Sequence, residues 1–201
     1  MATIYLIRHG ETDWNREERL QGITDVPLNR AGIAQGLRLA GWLRRVGARY
    51  IFTSPLRRTR HTAMILHRAG GWSVTVYDEL HEIDHGVWTG MILNEIGQRF
   101  PLGLACWHTN PEKLRVENAE PLQQAYSRAS RFLLQVIGMV SMGDVVIVSH
   151  GVIIALMVCA AMGSPSARVW DFPQPNACIQ AVRIHRRQIA AWETLDNGPF
   201  A

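Results

Sequence analysis

Short apolar runs alternate with segments in which apolar residues recur every three or four positions, and this alternation extends along the chain. The runs are typical of buried strands, whereas the spaced segments are typical of amphipathic helices. Strands are predicted over residues 3–7, 50–53, 74–77, 144–149, 179–183 and 189–192. Helices are predicted after residue 29 and over residues 57–68, 89–95, 121–140 and 151–162. This order predicts an α/β fold, a three-layer α/β/α sandwich around a mostly parallel central sheet.

Several residues mark where these elements begin. Asn29 has the side chain of a helix N-cap, and Thr89 is expected to cap the short helix that follows it. Pro121 suits the first turn of a long helix. Residues around 101–120 lack a regular pattern, so a lid or insert of irregular structure is expected there. No repeat or linker interrupts the chain, and residues 1–201 are predicted to form a single domain.

The composition is that of a folded domain. Of the 201 residues, 47% are hydrophobic and 19% are charged, which excludes collagen-like, low-complexity and acidic disordered chains. The net charge is +4, yet Lys113 is the only lysine. Arginine-rich chains suit paired hydrogen bonding to phosphate or carboxylate, and a GC-rich genome gives the same composition. Because the arginines are scattered, we expect no nucleic-acid partner.

The cysteines and the apolar segments favour a cytoplasmic protein. Cys106, Cys159 and Cys178 are odd in number and share no metal-ligand spacing, which favours free thiols in a reducing compartment. Residues 1–7 lack the basic region of a signal peptide. The longest apolar stretch, residues 152–162, has about half of the roughly 20 residues that span a membrane, so we expect no membrane association.

Three familiar catalytic or phosphate-binding motifs are missing from the sequence. It contains no Gly-x-x-x-x-Gly-Lys-Ser/Thr loop, no Gly-x-Gly-x-x-Gly after a strand and no Gly-x-Ser-x-Gly elbow. These absences argue against P-loop, dinucleotide-binding and serine-hydrolase functions. Gly32, Gly36 and Gly41 fall inside a helical pattern and are interpreted as sites of close packing.

Residues with catalytic potential follow the ends of four predicted strands. They are Arg8, His9, Arg58, Glu82, His85 and His150. Open α/β sheets bind ligands beyond the carboxyl ends of their strands, so these side chains converge on one cleft if the strands are neighbours. Each residue alone has an ordinary explanation as a loop or surface residue, whereas their joint placement favours a site.

The residue types favour phosphoryl transfer. A guanidinium beside an imidazole repels a divalent cation and attracts an oxyanion. Neutral imidazole is a good nucleophile towards phosphorus near neutral pH, since the pKa of histidine is about 6.5. Arg8, Arg58 and His150 would neutralise the phosphoryl oxygens. Glu82 would protonate the leaving oxygen.

Seven segments also share their order and spacing with a known family. They are residues 6–15 (LIRHGETDWN), 19–22 (RLQG), 25–28 (DVPL), 54–63 (SPLRRTRHTA), 80–90 (LHEIDHGVWTG), 148–151 (VSHG) and 176–177 (NA). In these motifs the chain resembles the histidine phosphatase superfamily, the phosphoglycerate-mutase-like proteins. The resemblance spans nearly the whole chain.

The resemblance implies a phosphoglycerate-mutase-like fold and a phosphohistidine intermediate on His9. Glu82 would be the proton donor and then the base that activates water. The groups implied to bind the transferred phosphoryl group are Arg8, Arg58, His150 and Asn15. The partner would be a small phosphorylated metabolite, and neither a metal nor an organic cofactor is expected.

The chain departs from the family pattern at two places. Ala119-Glu120-Pro121 stands where many relatives carry Gly-Glu-Ser, and the apolar segment 152–155 stands where many carry an arginine. Arg57 also precedes Arg58, and the spacing to Ser54 favours Arg58 as the functional residue. These departures leave the phosphoryl chemistry intact, but they prevent the substrate of any one relative from being carried over.

The leaving group is expected to meet a pocket near Asn15, Gln21, Gly22, Glu82, His85 and Trp107. Residues 82–91 resemble the metal-independent phosphoserine phosphatase branch, in which His85 would reach the substrate carboxylate. Alternatively, Asp84 and His85 form a structural pair that shapes the loop. Other candidate substrates are α-ribazole phosphate and sugar phosphates. A phosphoglycerate mutase is disfavoured, because mutases of this family are generally longer.

Functions from two other classes stay open. A metallohydrolase would use His9, Glu82, His85 and His150 and would need a metal for activity. A non-catalytic phosphoprotein-binding module would use the same arginines, although binding alone requires neither His9 nor Glu82. Apolar residues in the edge strands are compatible with a homodimer, but nothing in the sequence identifies its surface.

Overall fold

A six-stranded sheet forms the centre of the molecule, in a computed structural model that describes residues 1–140 and 143–195. The strands are β1 (Ala2–Arg8), β2 (Ala48–Thr53), β3 (Ser73–Val76), β4 (Asp144–Ser149), β5 (Ile179–His185) and β6 (Gln188–Leu195). Their spatial order is β3-β2-β4-β1-β5-β6. The first four strands in this order are parallel, β5 is antiparallel to β1, and β6 is antiparallel to β5. The prediction of a mostly parallel sheet is confirmed.

Seven α-helices connect and cover these strands in the described residues. They are α1 (Asp13–Arg16), α2 (Arg30–Leu43), α3 (Arg57–Gly70), α4 (Leu93–Arg99), α5 (Pro101–Thr109), α6 (Leu122–Met139) and α7 (Gly151–Ala161). Short 3-10 helices lie at Asp78–Leu80, Gly86–Trp88, Pro111–Lys113 and Ser166–Asp171. Within the described part of the chain, no helix is both long and apolar enough to cross a membrane.

Helices pack on both faces of the sheet because its buried strands are apolar on both sides. In β1, Ile4 and Leu6 join a core with α6 and α7, whereas Tyr5 and Ile7 join a second core with α2 and α3. Alternate residues of a strand point to opposite faces, which explains this division. The layered α/β architecture is therefore as predicted, with the helices flanking the central sheet.

Local capping explains where several helices begin. The Asn29 side chain accepts a hydrogen bond of 2.8 Å from the Gly32 backbone and caps α2 as predicted. Pro121 stands at the N-cap of α6, one residue before its first turn. The predicted Thr89 cap is wrong, because Gly90 has a φ of +84° that interrupts a helical path. Helix α4 instead begins after Ile92.

The region around residues 101–120 is more regular than its sequence pattern indicates. Pro101 is the first residue of α5, and Pro111 is the first residue of a 3-10 helix. Proline is favoured there because the first turn has no use for its missing N–H. The expectation of irregular structure was therefore wrong for these residues. Motion of this segment as a lid stays a prediction.

Close packing of glycines supports the loop that follows β1. A Cβ on Gly32 would lie 2.1 Å from the Glu11 carbonyl oxygen, and one on Gly10 would lie 2.4 Å from the Gly32 carbonyl oxygen. Gly36 also packs closely, against Ile65. The predicted close packing is absent at Gly41, where a Cβ would meet no neighbour within 4 Å in the described structure. Gly10 and Gly32 thus allow α2 to approach the loop that carries the candidate nucleophile, and Gly36 allows α2 to approach α3.

Candidate active site

The sequence-predicted residues converge where β1, β2 and β4 end side by side. Arg8 pairs with Ser149, and Thr53 pairs with Val148, so the three strands are neighbours in register. The backbone N–H of His9 then donates to the Ser149 carbonyl at 3.0 Å. A cleft with an empty volume of about 950 Å³ opens at this point. Its lining includes Arg8, His9, Asn15, Gln21, Gly22, Arg58, Glu82 and His85.

His9 is oriented by a hydrogen bond at one of its two ring nitrogens. The ring is 2% exposed, and its Nδ1 lies 2.7 Å from the Gly10 carbonyl oxygen. A carbonyl only accepts hydrogen bonds, so Nδ1 carries the proton and Nε2 carries the lone pair. Burial and the positive charges of Arg58 and Arg8 hold the pKa of His9 well below its usual 6.5. The imidazole is therefore neutral at physiological pH, as a nucleophile requires.

Arg58 is buried completely and held at all three nitrogens. Its Nε donates to His150 Nδ1 at 3.2 Å, and its two terminal nitrogens donate to the carbonyls of Thr24 and Gly22 at 2.7 Å each. Burial lowers the pKa of Arg58 to about 10, so the guanidinium stays charged near neutral pH. The neighbouring Arg57 is exposed. The choice of Arg58 from its spacing thus falls on the residue that lines the cleft.

His150 lies beside His9, with ring centroids 5.2 Å apart. Since Arg58 donates to its Nδ1, the proton of His150 is on Nε2, which donates to Ser54 Oγ at 2.8 Å. Burial is the main cause that lowers the pKa of His150 well below its usual value, and the charge of Arg58 adds to it. His150 is thus a neutral hydrogen-bonding group packed against the candidate nucleophile.

Arg8 lies against Gly151, at the start of α7. One terminal nitrogen donates to the Gln174 carbonyl, and a Cβ on Gly151 would lie 3.6 Å from the guanidinium carbon. Its Nε is buried and has no hydrogen-bond partner within residues 1–140 and 143–195. Burial lowers the pKa of Arg8, and the nearby Glu82 carboxylate opposes this effect. A buried donor without a partner is the group that an anion in the cleft would satisfy.

Asn15 is held by its side-chain oxygen. This oxygen accepts hydrogen bonds from the Thr12 backbone and hydroxyl at 3.1 Å each and from the Asn176 side chain at 3.2 Å. Asn176 also donates to the His9 carbonyl at 3.1 Å. These contacts leave the Asn15 amide nitrogen as the group available to a ligand, which fits the role implied by the resemblance.

Gln21 and Gly22 differ in what they offer to the cleft. The Gln21 side-chain oxygen is buried and has no partner in the described part of the chain. Gly22 has a φ of +49°, and its carbonyl accepts from Arg58. Gly22 therefore contributes to the cleft by holding the Arg58 guanidinium group, whereas Gln21 has a side-chain oxygen that can accept a hydrogen bond from a ligand.

Glu82 faces the cleft from the loop that follows β3. Its carboxylate accepts from the backbone N–H of Ile83 at 3.0 Å and from that of Val152, at the start of α7, at 3.3 Å. The negative charge of Glu82 raises the pKa of Arg8 and of His85 against the lowering caused by burial. The carboxylate is thus close to the guanidinium and imidazole groups of the cleft.

His85 lies on the same loop and packs edge-on against Trp107, with ring centroids 5.8 Å apart. Burial lowers the pKa of His85, so the ring is neutral near pH 7. Asp84 accepts from the Gly86 backbone at 2.9 Å and thereby shapes the loop. The suggested side-chain pairing of Asp84 with His85 is not among the hydrogen bonds of the described residues, and His85 lines the cleft.

We call Arg8, His9 and Arg58, which line the cleft, together with His150, which is buried against His9 and is not part of the lining, the sheet end of the cleft. Its loop end consists of His85, Trp107, Trp170 and Phe172. Sequence reasoning missed Arg19, Gln174 and the aromatic residues Trp170 and Phe172, which also line the cleft. Arg19 lies in the RLQG segment at residues 19–22 but was assigned no role there, whereas the other three residues come from segments with no motif of their own. The apolar segment 152–155 was a usable signal, because Val152 and Ala155 line the cleft as well.

The histidines and carboxylates of the cleft are not arranged as a metal site. Within residues 1–140 and 143–195, no three His, Cys, Asp or Glu side chains come together in a group that could hold a metal ion. The four residues of the metallohydrolase hypothesis therefore do not form such a group.

Known proteins share both this sequence and this fold. The model of the histidine phosphatase superfamily (branch 1) matches residues 4–196. Phosphoserine phosphatase 1 of Hydrogenobacter thermophilus is 34% identical over 94% of this chain and 89% of its own length. A probable phosphoglycerate mutase, GpmB of Salmonella paratyphi C, is 30% identical over 83% of this chain and 77% of its own. The crystal structure of a putative alpha-ribazole-5'-P phosphatase from Escherichia coli superposes with a TM-score of 0.86 at 25% identity, covering 96% of this chain and 95% of that one. The chain therefore belongs to the histidine phosphatase superfamily.

Proposed function

We propose that this protein is a phosphomonoester hydrolase that acts through a phosphohistidine on His9. The observation that carries the proposal is the contact of 2.7 Å between His9 Nδ1 and the Gly10 carbonyl oxygen, because such a bond requires the proton on Nδ1 and leaves the lone pair on Nε2. The same cleft holds two guanidinium groups, of the fully buried Arg58 and the half-buried Arg8, and the carboxylate of Glu82. Nucleophile, anion-binding groups and proton donor thus meet in one place.

In the first step, Nε2 of His9 attacks phosphorus as the bond from phosphorus to the ester oxygen breaks. Glu82, entering as the carboxylic acid, gives its proton to that oxygen, so the leaving group departs as an alcohol. Arg8 and Arg58 neutralise the non-bridging oxygens as charge shifts in the transition state. Asn15 supplies a neutral donor to the same group. A direct contact of His150 with that group stays a prediction, because the only N–H of its neutral ring donates to Ser54 in this structure.

In the second step, water attacks the phosphorus of the phosphohistidine. The Glu82 carboxylate takes a proton from this water, and the bond from nitrogen to phosphorus breaks. His9 recovers its lone pair and inorganic phosphate leaves. The cycle returns Glu82 to its acid form, and no group of the protein is consumed.

Phosphoserine is the substrate we propose first. Two observations support it, namely the 34% identity to a protein named phosphoserine phosphatase and the place of the neutral His85 ring in the cleft. Phosphoethanolamine lacks only the carboxylate, so the ratio of kcat/KM between the two esters measures carboxylate recognition. We expect His85→Ala to collapse this ratio and His61→Ala, at an exposed position on α3, to preserve it. An unchanged ratio in His85→Ala contradicts the assignment.

A second candidate substrate is an ester with a larger ring in its leaving group, such as a sugar phosphate or α-ribazole phosphate. The apolar loop end favours it, since Trp170, Phe172 and Val169 line the cleft together with the polar residues. Aromatic rings and sugar faces pack well on such walls. A metal-free screen of phosphomonoesters that includes phosphoserine decides between the two candidates.

Hydrolysis rather than mutase activity is proposed because the relative named a phosphoserine phosphatase is 34% identical over 94% of this chain, whereas the probable phosphoglycerate mutase is 30% identical over 83%. Incubation with 3-phosphoglycerate separates the two, since a mutase yields 2-phosphoglycerate and a hydrolase yields free phosphate. Activity that survives EDTA excludes the metallohydrolase hypothesis. Trapping of an acid-labile phosphoenzyme excludes the binding module.

The cellular setting is part of the proposal. Cys106, Cys159 and Cys178 are free thiols, which suits the reducing cytoplasm. Burial raises the pKa of the Cys159 and Cys178 thiols to about 11, so neither is a reactive thiolate. A homodimer stays a prediction, and sedimentation of the purified chain tests it.

A further inference from the structure

One buried arginine on α6 donates hydrogen bonds to the backbone of the loop that carries Glu82. Arg128 lies on α6, and its guanidinium donates to the carbonyls of Glu79 and His81 at 2.7 Å each and to that of Glu82 at 3.3 Å. The same group makes two hydrogen bonds of 2.8 Å to the Glu120 carboxylate. Both side chains of this pair are only 9% exposed. The planar guanidinium group of Arg128 therefore links α6 to the backbone around the candidate proton donor.

The segment that contains Glu120 fastens the other half of this loop. The Glu120 backbone donates to the Asp84 carbonyl at 3.0 Å, and the Val87 backbone donates to the Glu117 carbonyl at 3.1 Å. Gly86, with a φ of +54°, lies so close that a Cβ would be 2.1 Å from the Glu117 carbonyl oxygen. The loop is thus docked on residues 117–120 along its length.

We infer that Arg128, held by Glu120, is a positioning residue for the proton donor. Its hydrogen bonds fix the backbone before and at Glu82, and thereby set how far the carboxyl group reaches towards the leaving oxygen. The inference rests on the proposed function, because it needs Glu82 to move the proton. It also gives a reason why Ala119-Glu120-Pro121 keeps its acidic residue while its neighbours depart from the family pattern.

A positioning role is separable from a purely stabilising one. Replacing both members of a buried ion pair by apolar residues of similar size is often neutral for stability. The double variant Arg128→Met/Glu120→Leu avoids an unpaired buried charge, yet it removes the donors to the three carbonyls. A shift of about 1 Å at a catalytic group costs about 100-fold in rate. The double variant is thus expected to fold and to misplace Glu82.

The test compares two esters that share a ring but differ in their need for a proton. Nitrophenolate leaves 4-nitrophenyl phosphate without protonation, whereas phenyl phosphate depends on the general acid. We measure the single-turnover rate of phosphohistidine formation with each. The double variant is expected to keep the nitrophenyl rate within about threefold of wild type and to lose about 100-fold with phenyl phosphate. Arg128→Lys keeps the positive charge but loses the several donors of the guanidinium group. Its rate with phenyl phosphate is expected to lie between those of wild type and the double variant.

Arg131→Met provides the matched control, because Arg131 is exposed on the same helix and donates only to the Ser127 carbonyl among the described residues. It is expected to leave both rates unchanged. Equal losses with both esters, or no loss with either, overturn the positioning role and leave the proposed function intact. A wild-type protein that forms no phosphohistidine from either ester overturns the proposed function and this inference with it.

Discussion

The sheet end and the loop end of the cleft are built in different ways. At the sheet end, Arg8, His9 and His150 lie at or directly after the ends of strands whose register is fixed by backbone pairing. At the loop end, His85 and Trp107 come from a loop and from α5, and they meet through ring contacts. Strand register fixes which residue stands at the end of a strand. Ring contacts of the kind seen at the loop end can be made by many different residues.

This difference separates the reaction from the choice of substrate. The side chains proposed to handle the phosphoryl group are buried and held by hydrogen bonds, as with Arg58 and His9. The side chains that would meet the leaving group include Trp170, which is 37% exposed. Changes at the sheet end should therefore lower turnover for every ester, and changes at the loop end should alter the preference among esters.

The largest effect is expected at the nucleophile. His9→Ala removes the only group proposed to bond phosphorus, so kcat should fall by about 10⁴-fold or more for every phosphomonoester. The acid-labile phosphoenzyme trapped by rapid quench should disappear in parallel. His61→Ala, exposed on α3, is the control and should retain wild-type turnover. Near-normal turnover in His9→Ala would falsify the proposed mechanism.

Arg58→Lys should have the next largest effect. Lysine keeps the charge but cannot donate to Gly22, Thr24 and His150 together, so we expect kcat/KM to fall by about 100-fold to 1000-fold for all esters alike. Arg57→Lys is the matched control on the adjacent, exposed residue and should be neutral. A strong loss in Arg57→Lys with a mild one in Arg58→Lys would reverse the assignment and weaken the distinction between the two ends.

The same distinction explains which features the sequence predicts well. Buried strands are continuous apolar runs, so the run at residues 145–148 identified β4 and placed His150 beyond its end. Asn29 identified the start of α2, because capping depends on one side chain and a few neighbouring residues. Every member of the sheet end lies within about five residues of a predicted strand. Local patterns therefore suffice to identify the residues of the sheet end from the sequence.

Prediction fails where distant segments decide the outcome. Gln174 holds Arg8 through its backbone carbonyl, which has no signature in the sequence. Trp170 reaches Trp107 through a hydrogen bond of 2.6 Å between residues 63 positions apart. Thr89 has the side chain of a cap, yet the φ of Gly90 directs the chain elsewhere. Apolar and aromatic residues in such segments resemble ordinary core residues until the fold brings them to the cleft.

A smaller and more selective effect is expected at Trp170. Trp170→Ala should raise KM about tenfold for esters with a ring in the leaving group, since it removes one wall of the loop end. The KM for phosphoethanolamine, which is too small to contact that wall, should change by less than about twofold. Trp170→Phe keeps a ring but loses the N–H that donates to the Trp107 carbonyl, and it should restore most of the affinity. Equal changes for small and large esters would mean that the loop end does not select substrates.

The smallest expected effect concerns stability and pH. Burial lowers the pKa of His9, His85 and His150 below the usual 6.5, so in the folded state these rings resist protonation as the pH falls. The unfolded chain takes up these protons below about pH 6.5, and stability therefore decreases with acidity. A ring that stays neutral throughout, as the pKa values of His9 and His150 well below 6.5 indicate, costs about 1 kcal/mol between pH 6.5 and 5.5, and the cost is smaller for His85, whose pKa is lowered less. Urea unfolding at the two pH values measures this, and His85→Gln should reduce the pH-dependent loss by one ring's share. A loss that is the same in wild type and His85→Gln would show that the loop-end histidine is not kept neutral by burial, and that only the sheet end excludes the proton.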